Sequence, residues 1–212
     1  MRSVRKDGNC FYRAFAFRFC ELLLQNRGMQ WQKVAIERAK ESKALLTTMG
    51  YDMGLLEDFW EGFDNALTLH SSPEDEFKSD AESAAALLEM FQTQHLCDTI
   101  VCYLRLVTAA LLKRDRDLYE AFILDDYPSL DAFISSCVDP MNVESDQIHI
   151  VAMANAFGID IRVANLDTTP SDSINYHDIS PMEPMQVDQV PCITLLYRPG
   201  HYDILYPKPN ST

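Results

Sequence analysis

The chain has 212 residues, 47% of them hydrophobic, and a formal net charge of −14. This length supports one substantial hydrophobic core, so we expect a single domain over residues 1–212. The negative charge argues against a nucleic-acid partner, whose phosphates would be repelled, and is compatible with a basic protein surface.

Six cysteines are scattered along the chain without a CxxC pair: Cys10, Cys20, Cys97, Cys102, Cys137 and Cys192. Residues 1–6 lack the apolar core of a secretion signal. We therefore expect reduced thiols and a location in the cytoplasm, with the nucleus as a further compartment, rather than a disulfide framework.

Neither a membrane nor a metal is expected. The most apolar stretch, residues 99–112, is interrupted by Arg105 and is too short to span a bilayer of about 30 Å. His95, Cys97 and Cys102 follow no common zinc-binding spacing, so a structural role is favoured for all three.

The first predicted helix covers residues 11–26 and follows a turn made by Asp7, Gly8 and Asn9. Cys10 is then at a helix N-terminus, where unpaired N–H groups and the helix dipole favour the thiolate. The same loop could direct N–H groups to an oxyanion, with Gly8 allowing a positive φ. Alternatively, Cys10 is an ordinary small buried residue.

Amphipathic patterns predict further helices over residues 31–49, 55–69, 73–94, 97–114, 118–124, 130–138 and 146–157. The helix over 97–114 is apolar on nearly every face and should be central and buried. A helical insert is expected over about residues 52–140, and the most acidic region lies at its start, between Asp52 and Glu82. His149 lies on an otherwise apolar helix, where a packed, hydrogen-bonded histidine is expected rather than a catalytic one.

Strands are predicted over residues 159–163, 193–197 and 202–206, with a long polar loop over 167–191 in which His177 is exposed. Side chains at i and i+2 of a strand share a face, so His201 and Asp203 should point the same way. This is the arrangement of a general base and the carboxylate that orients it. The alternative is that His201 is simply a sheet histidine.

Three segments carry a resemblance to the ovarian-tumour (OTU) class of cysteine proteases, and specifically to the otubains: residues 7–14 (DGNCFYRA), 144–152 (ESDQIHIVA) and 195–205 (LLYRPGHYDIL). The resemblance implies a papain-like OTU fold of the α/β (α+β) class, in which a small, mostly antiparallel sheet is flanked by many helices and a helical arm. It implies Asp7, Cys10, His201 and Asp203 as catalytic residues, with the loop of Asp7, Gly8, Asn9 and Cys10 shaping the oxyanion hole. It implies no cofactor.

The same resemblance implies a cysteine-type deubiquitinase that hydrolyses isopeptide bonds between ubiquitin and lysine side chains, within polyubiquitin chains. The helical insert would form an arm that helps to hold ubiquitin, with its acidic surface as a candidate contact or, alternatively, a solvated charged face. A monomer is expected. A different class of function also stays open, because some otubain-like proteins bind ubiquitin-conjugating enzymes: a non-catalytic regulator that binds ubiquitin or those enzymes.

Overall fold

The fold is arranged around one long apolar helix and one small sheet. The structure, a computed structural model, describes residues 1–69, 79–166 and 174–207. The helices are α1 (Cys10–Gln25), α2 (Gln30–Thr48), α3 (Met53–Thr68), α4 (Asp80–Gln92), α5 (Gln94–Arg114), α6 (Arg116–Tyr119), α7 (Leu130–Phe133) and α8 (Gln147–Phe157). The strands are β1 (Ile161–Asn165), β2 (Asn175–Ile179), β3 (Ile193–Arg198) and β4 (His201–Ile204).

Helix α5 is central and buried, as predicted, and it contacts α1, α2, α3, α4 and α8. It has 21 residues and is therefore longer than the apolar stretch 99–112, which is too short for a membrane span. The length and composition of the whole helix would by themselves suit a membrane span. However, 67% of its most apolar window is buried inside the protein. Burial by the other helices, not shortness, is what argues for a core helix.

Helix α1 connects the helical layer to the sheet. Nearly all of its residues are buried, and it packs against α4 and α5 on one side and against β3 and β4 on the other. Phe15 and Phe19 stack at 5.9 Å between ring centroids, and both contact Phe157 of α8 at 5.3 Å. Aromatic packing along this helix therefore fixes the position of its first residue, Cys10.

The sheet has the strand order β2-β1-β3-β4. Strands β1 and β3 are parallel, whereas β1 with β2 and β3 with β4 are antiparallel. The prediction of a small, mostly antiparallel sheet is confirmed. Strand β4 lies at one edge, and Arg2 forms an isolated antiparallel bridge with its last residue, Ile204.

One local prediction is wrong. Strand β2 lies inside the region predicted as one long loop, although His177 within it is exposed, as expected. Helix α4 begins at Asp80, where Ser79 and Glu82 form a capping box, and the predicted helix start at Ser72-Pro73 lies outside the described residues.

Candidate active site

Cys10 begins α1, as predicted, and no side chain that the structure describes caps this helix end. Asn9 occupies the N-cap position without bonding to the first turn. The Arg13 N–H donates to the Asn9 carbonyl at 3.0 Å and is the first donor of the helix, so the N–H groups of residues 10–12 have no acceptor within the helix. They are available to stabilise negative charge beside Cys10.

The Asn9 side chain turns away from α1 because other groups hold it. Its Oδ1 accepts from Arg105 and from the Asn142 N–H, both at 2.9 Å, and its Nδ2 donates to Asn142 Oδ1 at 3.0 Å. Arg105, buried in α5, also donates to the carbonyls of Gly8 at 3.3 Å and Val143 at 2.7 Å. One guanidinium thus ties the nucleophile loop, residues 7–10, to a segment more than a hundred residues away.

Gly8 has a φ of +78°, which confirms the predicted positive φ. A Cβ at this position would lie 2.3 Å from the Asn142 carbonyl oxygen. Both the backbone conformation and the available space therefore require glycine.

Asp7 stabilises the same loop at its other end. Its carboxylate accepts two hydrogen bonds of 2.8 Å from Arg13, one of 2.9 Å from Arg5 and one of 3.1 Å from the Asn9 N–H. Burial raises the pKa of Asp7, but the Arg13 and Asn9 donors and the Arg5 charge together hold that pKa below its usual value. Asp7 is therefore an anion around which the loop is folded.

His201 and Asp203 share one face of β4, as predicted. His201 Nε2 lies 2.9 Å from Asp203 Oδ1, and Asp203 is completely buried. The Val4 N–H donates to the same oxygen at 2.9 Å, and Arg198 pairs with Oδ2. Burial raises the pKa of Asp203, but Val4, His201 and Arg198 together hold it below its usual value. The imidazole is thus oriented by a buried carboxylate anion.

Cys10 lies against β4 where α1 packs on the sheet. The N–H of Tyr202 donates to Cys10 Sγ at 3.4 Å, which brings the thiol beside the peptide that follows His201. His201 Nδ1 is buried and has no hydrogen-bond partner among the residues that the structure describes. The fold therefore brings together all four predicted site residues, Asp7 and Cys10 from one end of the chain and His201 and Asp203 from the other.

The pKa of Cys10 differs from the prediction. We expected the helix N-terminus to lower it, but burial raises the pKa of this thiol above its usual value. The N–H groups of Tyr202 and Phe11 favour the thiolate, as the prediction assumed, and the charge of Asp7 opposes it. Removal of water from the side chain, which the sequence does not reveal, outweighs the local donors.

Two of the other histidine and cysteine candidates, His149 and Cys97, have structural partners. His149 is completely buried, with Nδ1 2.9 Å from Asp146 Oδ1 and Nε2 3.2 Å from the Cys137 carbonyl, which confirms the packed, hydrogen-bonded assignment. Cys97 Sγ accepts from Arg13 Nε at 3.2 Å. Over residues 1–69, 79–166 and 174–207, no group of three His, Cys, Asp or Glu side chains could hold a metal ion.

The model of the Peptidase C65 Otubain family matches residues 1–207 of this chain. The chain belongs to this family. It is 38% identical to the OVARIAN TUMOR DOMAIN-containing deubiquitinating enzyme 1 of Arabidopsis thaliana, with 99% of this chain and 70% of that protein covered. It is 37% identical to human ubiquitin thioesterase OTUB1, with 97% of this chain and 70% of that protein covered.

The fold of this otubain also matches solved structures. A complex of h/ceOTUB1 with ubiquitin aldehyde and UBCH5B~Ub has a TM-score of 0.77 at 26% identity, and the match covers 98% of this chain and 76% of that one. A complex of h/ceOTUB1 with ubiquitin aldehyde and UBC13~Ub has a TM-score of 0.76 at 27% identity, with 96% and 75% covered. The predicted family, OTU fold and peptidase class are thereby confirmed.

Sequence reasoning missed the residues that hold the otubain site in place. Arg105 interrupts an apolar stretch of the sequence, and a lone arginine in a buried helix is itself a signal, because a buried charge needs partners. Asn142 follows an Asp-Pro break and has a φ of +64°. Val4 contributes only its backbone N–H, for which the sequence carries no signal.

Proposed function

We propose that this otubain is a cysteine peptidase that hydrolyses isopeptide bonds between the C-terminus of ubiquitin and lysine side chains, within polyubiquitin chains. Cys10 is the nucleophile, His201 the general base and acid, Asp203 the group that orients His201, and Asp7 the anchor of the nucleophile loop. The observation that carries this proposal is the 3.4 Å contact between Cys10 Sγ and the Tyr202 N–H, beside an imidazole already bonded to a buried carboxylate.

Catalysis begins when His201 takes the proton of Cys10 and the thiolate attacks the isopeptide carbonyl carbon. The carbonyl oxygen becomes an oxyanion, and N–H groups at the start of α1 stabilise it. His201 then donates its proton to the departing lysine amine as the C–N bond breaks. A water molecule, deprotonated by His201, attacks the thioester and releases the ubiquitin carboxylate, which regenerates the thiol.

The proton transfer requires a small closing movement. Among the residues that the structure describes, the Tyr202 N–H donates to Cys10 Sγ, and His201 Nδ1 has no hydrogen-bond partner. Burial raises the pKa of Cys10, which favours the thiol over the thiolate. Catalytic hydrogen bonds in free enzymes are often long and tighten only when substrate is bound. We therefore expect ubiquitin binding to bring His201 Nδ1 within hydrogen-bond distance of Cys10 Sγ.

The helical insert supplies a candidate docking surface for ubiquitin. Phe122 is 77% exposed and Leu124 is 53% exposed, immediately beside α6. Phe122 and Leu118 border an apolar cavity of about 620 Å³ that reaches Ile148 and Val151 on α8. Exposed apolar side chains gathered around a cavity are typical of a protein interaction site. We therefore assign ubiquitin docking to this apolar surface instead of the acidic residues of the insert.

Cleavage of di-ubiquitin of each linkage tests the proposal, with wild-type protein beside Cys10→Ala and a matched Cys192→Ala control. Wild type and Cys192→Ala should cleave at equal rates, whereas Cys10→Ala should not cleave. A ubiquitin probe with a C-terminal electrophile should label Cys10, which is only 2% exposed, and spare the exposed Cys192. Undiminished cleavage by Cys10→Ala would rule out this nucleophile.

A second candidate function is binding of ubiquitin-conjugating enzymes. It is favoured by the two structural matches, in which h/ceOTUB1 is in complex with UBCH5B~Ub or UBC13~Ub. Calorimetric titration of Cys10→Ala with UBC13~Ub tests it, because this variant separates binding from cleavage. If wild type cleaves no linkage and the variant binds UBC13~Ub, the regulatory function replaces the catalytic one.

We further propose a cytoplasmic location, with access to the nucleus. All six cysteines are free thiols in the structure, which suits a reducing compartment. Fluorescence microscopy of the tagged chain measures this directly.

A further inference from the structure

The segment before the nucleophile loop extends the sheet at the edge of β4. The Arg2 N–H donates to the Ile204 carbonyl at 2.9 Å, and the Ile204 N–H donates back to the Arg2 carbonyl at 3.0 Å. This reciprocal pair is the bonding pattern of antiparallel strands. It places the next residues of the segment beside Asp203.

Two residues further on, the Val4 N–H donates to Asp203 Oδ1 at 2.9 Å. His201 Nε2 contacts the same oxygen at 2.9 Å. We infer that the backbone N–H of Val4 is a positioning group for catalysis, which fixes the Asp203 carboxylate and through it the imidazole of His201. This inference rests on the proposed function.

The other donor to Asp203 cannot replace Val4. Arg198 bonds to Oδ2 and its side chain is 49% exposed, so solvent weakens this pair. Val4 bonds to the oxygen that faces His201, and its N–H is held by a backbone paired to the sheet. Of the groups that lower the pKa of Asp203 against the effect of burial, the Val4 N–H is the largest.

The same segment also connects the two halves of the site, through a hydrogen bond to Asp203 and through its own backbone to Cys10. Val4 lies three residues before Asp7 and six before Cys10, and Asp7 holds the Asn9 N–H at 3.1 Å. A single short segment thus bonds to the orienting carboxylate at one end and carries the nucleophile at the other. Any shift of this segment would change the distance between thiol and imidazole.

Val4→Pro removes the N–H, and Val4→Ala removes the side chain but keeps the N–H. Ser3→Pro is the matched proline control, because Ser3 is exposed and the structure describes no hydrogen bond from its N–H. We expect kcat on a fluorogenic ubiquitin substrate to fall roughly tenfold in Val4→Pro with little change in KM, and to stay near wild type in the two controls. The acidic limb of kcat/KM should move to higher pH in Val4→Pro, since Asp203 loses a donor that favours its anion.

A double-mutant cycle separates positioning from general damage. In an Asp203→Ala background, Val4→Pro should have no further effect on kcat, because the group through which it acts is gone. An equal loss from Val4→Pro in both backgrounds, or an equal loss in Val4→Pro and Ser3→Pro, would overturn the inference.

A measurement that does not depend on activity distinguishes a failure of the role of Val4 from a failure of the proposed hydrolysis. The ¹³C resonance of the Asp203 carboxyl should titrate at higher pH in Val4→Pro than in Val4→Ala, whether or not the protein cleaves ubiquitin. Unchanged titration would refute the role of Val4. An inactive wild type with the expected titration would refute only the proposed hydrolysis.

Discussion

Gly8→Ala should disable the site through one contact that can be worked out from the structure. A left-handed φ costs a residue with a Cβ about 1 kcal/mol. The added Cβ would also lie 2.3 Å from the Asn142 carbonyl oxygen, whereas ordinary contacts begin at 3.4 Å. Asn142 cannot easily move away, because its N–H and its side chain are both hydrogen-bonded to Asn9. The nucleophile loop must therefore move by about 1 Å, a displacement that can reduce turnover by about a hundredfold.

Gly28→Ala is the matched control, since Gly28 has a φ of +77° but, its chain neighbours apart, no atom of the described residues lies within 4 Å of its added Cβ. Both variants share the backbone strain, and only Gly8→Ala has the clash. The assay is kcat/KM on a fluorogenic ubiquitin substrate, with thermal unfolding measured in parallel. Gly28→Ala should keep nearly full activity. If Gly8→Ala retains activity within about twofold of Gly28→Ala, the claim that the loop is tightly held is refuted.

Three further changes test the supports and the docking surface. Arg105→Met removes the donor to the buried carbonyls of Val138 and Val143 and should lower the free energy of unfolding by about 3 kcal/mol, measured by urea denaturation. Arg116→Met should have little effect, because that side chain is 37% exposed and its ion pairs are at the surface. Because the folded-state pKa of Asp7 is lowered, its stabilisation is present at neutral pH and is lost as pH falls through that pKa, so Asp7→Asn should show a smaller drop in melting temperature between about pH 6 and pH 3 than wild type. Phe122→Arg should raise KM for ubiquitin substrates without changing the melting temperature, since this side chain is 77% exposed; an unchanged KM would remove the apolar surface from ubiquitin docking.

The predicted helices were largely correct because their signals are local. The apolar spacing that predicted a helix over residues 146–157 corresponds to α8, which Asp146 caps and Gly158 ends with a φ of +64°. Strand β2 was missed because four of its five residues are exposed and show no alternation of burial. It is a strand because it pairs with β1, and that partner is not encoded in its own residues.

The site residues also divide into those that local patterns predict and those that depend on long-range contacts. Cys10 at a helix start and His201 two residues from Asp203 are arrangements that motif order and the period of a strand reveal directly. The supports that Arg105 and Val4 give arise from contacts across 96 and 199 positions of the chain. Local patterns contain no information about such pairs.

The amino-acid sequence by itself determined which residues are candidates for the chemistry, because the residue types needed for a nucleophile, a base and its orienting group are recognisable within short segments. Only the tertiary structure decided how far water is excluded from Cys10, and therefore that its pKa is raised and not lowered. It also decided which backbone groups hold Asp203. Burial and hydrogen-bond partners depend on what the rest of the chain places around a residue, so they exist only once the two ends of the chain have packed together.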